Sequence, residues 1–129
     1  MANRTNFGEP TMGAYRLKEM RDSQFPGGVV VDPTPITAGQ EVVVFYNGLL
    51  AESGAQEVYL HCGFGRDDRW HAIQDTRMAK TGYGFVKAVT MPDTHTQFNF
   101  CFHDNAMNWD NNSGKDWSFQ VHNGTMNGH

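Results

Sequence analysis

A chain of 129 residues suits one domain able to bury a core of its own. Its 10 basic and 14 acidic side chains leave a formal net charge of -4, so it lacks the cationic surface that phosphate backbones require, and a neutral partner is expected rather than a nucleic acid. No stretch approaches the roughly 18 consecutive apolar residues of a membrane span, and Met1 to Pro10 is polar, so neither membrane insertion nor an export signal is expected.

Residues 1–28 mix charge, Met, Gly and Pro, with a weakly helical Tyr15 to Met20, and read as an N-terminal arm that docks on the body or on a second subunit as a homodimer contact. Val29 to Val31 is a short apolar run leading into Asp32-Pro33-Thr34-Pro35, which a central strand could not accommodate. Ile36 to Gln40 reads as a turn, and Glu41 to Tyr46 as a β-branched and aromatic strand ended by Asn47-Gly48. Gln56 to Phe64 alternates, with Val58, Leu60 and Cys62 on one face and Tyr59 and His61 on the other. Phe85 to Met91 alternates similarly. Thr96 to His103 has the clearest period of two, with three phenylalanines inside and Asn99 outside, and Asp116 to Val121 places Trp117, Phe119 and Val121 together. Five or six short strands with Gly, Asn and Pro turns and no amphipathic helix predict an all-β, immunoglobulin-like antiparallel β-sandwich over 29–121, followed by a C-terminal tail over 122–129 whose last residues, Gly124 to His129, fray.

Two tryptophans stand in polar company. Trp70 follows Asp67-Asp68-Arg69, and Trp109 lies among Asn108, Asp110, Asn111 and Asn112. Each is either a platform exposed to a partner or a ring tucked over the end of the sandwich, and so many amides exceed what a turn needs. His61, on the face away from the core, is followed by Gly63 and Gly65, where a missing side chain lets something approach the backbone. A pyranose presents an apolar face of C–H groups and a rim of hydroxyls; aromatic rings take the face, and His, Asn, Asp and Lys side chains take the rim.

Other chemistries fit less well. Asp104 and Asp110 are a candidate carboxylate pair with no apolar pocket around either, and Ser53, Ser113 and Ser118 lack a nucleophile elbow, so no enzyme is expected. No cofactor is expected, although Asp104, Asp110, Asn111, Asn112 and Asp116 could supply oxygens to a structural calcium in an order unlike an EF-hand. Nothing in the spacing of the six histidines calls for zinc, though His61, His71 and His103 could meet in space. Cys62 and Cys101 read as buried thiols, with a disulfide open only if their strand faces match.

The runs Ile36 to Val42, Tyr46-Asn47-Gly48-Leu49-Leu50, Val58 to Gly63, Phe100 to Asn112 and Asp116-Trp117-Ser118-Phe119 resemble the family 25 carbohydrate-binding modules over about residues 29–121. The resemblance implies a starch-binding β-sandwich of the kind usually attached to amylases, which holds α-1,4-linked glucose chains on two tryptophan platforms beside a histidine. His61 matches the histidine, Trp70 the first platform and Trp109 the second, with Asn111 and Asn112 lining the same surface and Asp104 and Lys80 completing the expected rim. It implies α-glucan as ligand and a separate glycan-active enzyme as partner; a structural or protein-interaction sandwich is the alternative. With no export signal the chain reads as cytoplasmic, or as extracellular if it is an excised module, and an intracellular glycogen-associated or scaffold role stays open.

Overall fold

The computed structural model describes residues 27–123. The Tyr15–Met20 segment, the rest of the arm before Gly27 with its dimer contact, and the tail Gly124–His129 lie outside the described residues. In chain order the elements are β1 (Val29–Asp32), β2 (Ile36–Thr37), β3 (Glu41–Tyr46), a single helical turn α1 (Leu49–Glu52), β4 (Val58–Arg66), β5 (Arg69–Arg77), β6 (Ala79–Thr81), β7 (Gly84–Thr90), β8 (Thr96–Asp104), β9 (Trp109–Asp110) and β10 (Trp117–His122).

The expected β-sandwich is present. The smaller sheet runs β1-β3-β7-β6 and the larger β2-β10-β8-β4-β5, with β9 also paired to β8. Pairing is antiparallel throughout except between β2 and β10, which run parallel. The exception follows from Pro33 and Pro35: without N–H groups they end β1, and the chain crosses to the other sheet before pairing again.

Period-two alternation builds the core. Val29, Val31, Val42, Val44, Tyr46, Phe85 and Val89 of the smaller sheet face Val58, Leu60, Cys62, Phe64, Phe98, Phe100, Phe102, Trp117 and Val121 of the larger one. Phe100 stacks on Trp117 and Phe119, and Phe102 on Tyr46 at 4.0 Å between centroids. Strand β8 departs from simple alternation, because its outward side chains Asn99, Cys101 and His103 are buried as well as its phenylalanines. Its outer face is therefore covered by neighbouring side chains.

Tyr46 joins the layers. Its hydroxyl donates to Asp110 Oδ2 at 2.5 Å and accepts the backbone N–H of Leu50 at 3.0 Å, so one buried group ties β3 to β9 and to the start of α1. Gly48, the N-cap of α1, has no side chain to satisfy the first turn, and the tyrosine hydroxyl does so from a distance. A Cβ on Gly48 would lie 2.2 Å from the Gly27 carbonyl oxygen, which explains glycine there.

Burial, and then the bond to Asp110, push the ionisation of Tyr46 well above its ordinary 10.0. The stability this represents is complete below pH 10 and is lost as pH rises past the ordinary tyrosine value, where the unfolded chain ionises and the folded chain does not. Tyr46→Phe leaves the Asp110 carboxylate and the Leu50 N–H without their partner, and should cost about 1 to 3 kcal/mol in urea unfolding at neutral pH. It should also flatten the alkaline decline, and an unchanged midpoint would show that the node contributes nothing.

Candidate functional site

The outer face of the larger sheet is ordered in rows across the strands. Arg77, Tyr59, His103 and Trp109 form one row, and Asp75, His61 and Cys101 the next. Gly63, Asn99 and Ser118 follow, and Trp70 stands opposite Gly65 further along. The two tryptophans thus enter from opposite ends of one face.

Trp109 reaches this face because its neighbour Asp110 is drawn inward to Tyr46, and consecutive residues of a strand point to opposite sides. Its ring lies 4.5 Å from His103 and 5.3 Å from His61, edge-on to the latter at 88°, and is 43% exposed.

Trp70 reaches the same face through a β-bulge. Asp75 pairs with His61 and Gln74 with Cys62, but Phe64 pairs with His71, so one residue is added and Ala72 takes a φ of 52°. That addition reverses the parity of β5 and turns Trp70 outward where regular pairing would have turned it inward. The indole N–H donates to the Asp67 carbonyl at 3.0 Å, and the ring stands 6.0 Å from His61 at 34°. Since His61 is shallowly tilted to one indole and perpendicular to the other, the two indole planes are steeply inclined to each other.

Gly63 makes room for this arrangement. A Cβ there would sit 3.0 Å from Trp70 Cβ, 3.1 Å from its Cε3 and 3.2 Å from Ile73 Cγ1. Trp70 accordingly lies down on bare backbone.

Beneath Trp109, His103 is held at both nitrogens. Nδ1 donates to the Asp104 carbonyl at 2.8 Å, Nε2 meets both oxygens of Asp75 at 2.8 and 3.0 Å, and Tyr59 stacks on the ring at 4.9 Å. His61 Nδ1 is buried without a hydrogen bond, 3.8 Å from Asp75 Oδ1. Beside Trp70, Ser118 donates to Asn99 Oδ1 at 2.7 Å, Gln97 donates to the same oxygen and to Asp67, and Asn99 donates to the Gly65 carbonyl.

Of the residues singled out in the sequence, His61, Trp70 and Trp109 come together. The polar ones are engaged elsewhere. Asp104 accepts from the Ala106 and Asn108 backbone N–H groups and from Asn108 Nδ2, and the Asn108 side chain foremost holds its carboxyl below the ordinary range. Asn111 Oδ1 accepts from the Gly114 N–H, and Asn112 Nδ2 donates to the Asp116 carbonyl, so both amides fold their own loop. Lys80 stands on β6 of the smaller sheet and donates to Gln56 Oε1 at 2.7 Å.

Asp110 is buried against Tyr46, whereas Asp104 is held by the N–H groups of its own loop. Among the described residues no group of three or more His, Cys, Asp or Glu side chains could hold a metal ion. His71 pairs with Phe64 on the inward parity, apart from His61 and His103. Cys62 faces the core and Cys101 the outer face, so the thiols point away from each other and both are free. Asp75 and His103 support the rings from neighbouring strands, and their part in this follows only from the register, whereas Tyr59 shares the face of His61 on its own strand.

Two steeply inclined tryptophans thus lie beside a histidine on the flat of a β-sandwich. Residues 42–100 match the model of a family described as "Starch/carbohydrate-binding module (family 53)". The chain is also similar to a protein named "Alpha-amylase" from Clostridium acetobutylicum, with 34% identity over 91 residues that make up 70% of this chain and 11% of that protein. The chain thus spans only a small part of that relative's length. No solved structure matches it. The segment 42–100 of the sandwich is thus similar to a family of non-catalytic starch- and carbohydrate-binding modules.

Two outcomes follow from the geometry. Gly63→Ala should lift Trp70 from the sheet, altering the near-ultraviolet circular dichroism of the tryptophans at a stability cost of about 1 to 3 kcal/mol; an unchanged spectrum would show that the ring does not rest on this backbone. Burial pushes the Cys62 thiol up to about 11 and the Cys101 thiol up to about 12. At about pH 8 iodoacetamide should therefore leave both unmodified in the native protein and label both in denaturant, and native labelling of Cys101 would mean that the outer face is open above it.

Proposed function

We propose that this face binds α-1,4-glucans such as starch, glycogen and maltooligosaccharides by aromatic stacking and hydrogen bonding, without catalysis. The observation that carries the reading is the steep inclination of Trp70 to Trp109 around His61. A flat β-glucan would need coplanar rings, whereas an α-1,4 chain curves, so successive glucose units present their apolar faces at an angle. The family match and the amylase similarity support the same ligand class.

In this reading Trp70 and Trp109 each take a pyranose face, and His61 stands between them for a hydroxyl. Asp104, Asn111 and Asn112 contribute by shaping the loops around Trp109, and Lys80, on the other sheet, lies outside the contact. By analogy with base stacking, each ring contributes about 1 to 3 kcal/mol. With a few net hydrogen bonds of about 1 kcal/mol each, the affinity falls in the micromolar to millimolar range. The finer placement in family 25 rests on the runs Ile36–Val42, Tyr46–Leu50, Val58–Gly63, Phe100–Asn112 and Asp116–Phe119 together, the last two lying almost wholly beyond the family 53 match. The partner this suits is a glycan-active enzyme whose substrate the module holds.

Calorimetric titration of maltoheptaose, with a cello-oligosaccharide control, tests the reading. Wild type should bind the α-glucan saturably and ignore the β-glucan, and a folded Trp109→Ala variant should lose at least tenfold in affinity. Failure of folded wild type to bind maltoheptaose would remove the sugar assignment and favour a protein-interaction role.

A further inference from the structure

Antiparallel pairing of Trp117 with Phe100 places the preceding residue, Asp116, beside Cys101, which itself pairs with His61. The row that begins Asp75, His61, Cys101 therefore ends at Asp116, on the side of His61 away from Asp75. We propose that Asp116 is a further ligand-contacting residue of this face, its carboxylate accepting hydroxyl hydrogen bonds from a glucose unit lodged between Trp109 and Trp70. The inference rests on the α-glucan reading.

The loop before β10 is built to present this side chain. Asn112, Ser113 and Asp116 hold φ values of 57°, 57° and 58°, left-handed conformations uncommon in non-glycine residues and easiest for Asn and Asp, whose side chains hydrogen-bond locally. The Asp116 N–H donates to the Asn111 carbonyl at 2.7 Å, the Asp116 carbonyl accepts from Asn112 Nδ2 at 3.2 Å, and the Lys115 N–H donates to the Asn112 carbonyl at 3.2 Å. Both backbone groups of Asp116 are thus committed to the loop, which withdraws it from the strand. The Asn111 backbone carbonyl and the Asn112 side-chain amide thus hold the backbone of Asp116 in place.

That carboxylate keeps acceptor capacity. It can accept about four hydrogen bonds, and among the described residues its side-chain partner is the Cys101 thiol, a weak donor. Burial foremost holds its carboxyl above the ordinary range, with Asp67 adding to the effect and Cys101 and His61 opposing it. These neighbours all belong to the tryptophan-flanked face. By contrast Asn99 Oδ1 and the Asn99 amide are already engaged with Gln97, Ser118 and Gly65. A half-buried carboxylate with one weak donor suits sugar hydroxyls, each of which brings an O–H donor.

The test titrates maltoheptaose into wild type, Asp116→Asn and Asp116→Ala, and then titrates maltotriose and its monodeoxy analogues. The alanine variant should bind about tenfold more weakly, and the near-isosteric asparagine variant should fall between it and wild type. At one hydroxyl position wild type should prefer the parent sugar to its deoxy analogue while Asp116→Ala treats the two alike, a loss that mere loop damage would not produce. Wild-type affinity in both variants, or a uniform weakening that leaves every deoxy preference intact, overturns the role of Asp116 while leaving the α-glucan reading standing. Should the alanine variant not fold, the asparagine variant carries the same comparison. Absence of maltoheptaose binding by wild type overturns both readings together.

Discussion

The bond from the Tyr46 hydroxyl to the Asp110 carboxylate is the constraint on which the tryptophan-bearing face depends. Strand β9 has two residues, too few to hold itself against β8 by backbone pairing alone. Drawing Asp110 into the core anchors it, and the alternation of a strand then sends Trp109 outward. A buried carboxylate would be costly without a donor, and a buried tyrosine hydroxyl would be costly without an acceptor. Each satisfies the other, and the same hydroxyl caps α1 by accepting from Leu50. Core packing and platform placement are therefore one arrangement seen from two sides.

The second platform depends on a different device. Strand β5 lies at the edge of its sheet, with most of its side chains exposed on both faces, so burial does little to hold its register. A single added residue reverses which side chains face outward, and the absence of a side chain at Gly63 lets the indole settle. Asp75 on the same strand clamps His103, on which Trp109 leans, so the edge strand supports both rings. His61 Nδ1, buried without a hydrogen bond next to Asp75, marks where polar satisfaction gives way to holding a ring between two indoles.

Much of the fold was legible in the residues because hydrophobic period follows strand geometry directly. Glu41 to Tyr46, Gln56 to Phe64 and Thr96 to His103 read as strands and correspond to β3, β4 and β8, and in the last two the faces expected inward are inward. Strand β5 escaped notice because Arg69 to Arg77 buries neither face and so carries no alternation. Helix α1, one turn long, is too short for a 3.6-residue pattern to show. Amide composition does not reveal that Asn111 Oδ1 and Asn112 Nδ2 each make a bond within their own loop.

Residue order alone determined that this is a β-sandwich, that the two tryptophans sit in polar surroundings, and that His61 faces away from the core, since each of these follows from local composition and a period of two. Only the tertiary structure decided that Trp70 and Trp109 share a face and incline around His61, that Asp75 and His103 support them, and that Asp116 closes the row. The reason is physical. Parity across strands depends on register, a single bulge inverts it, and register is set by long-range packing rather than by any residue's neighbours in the chain.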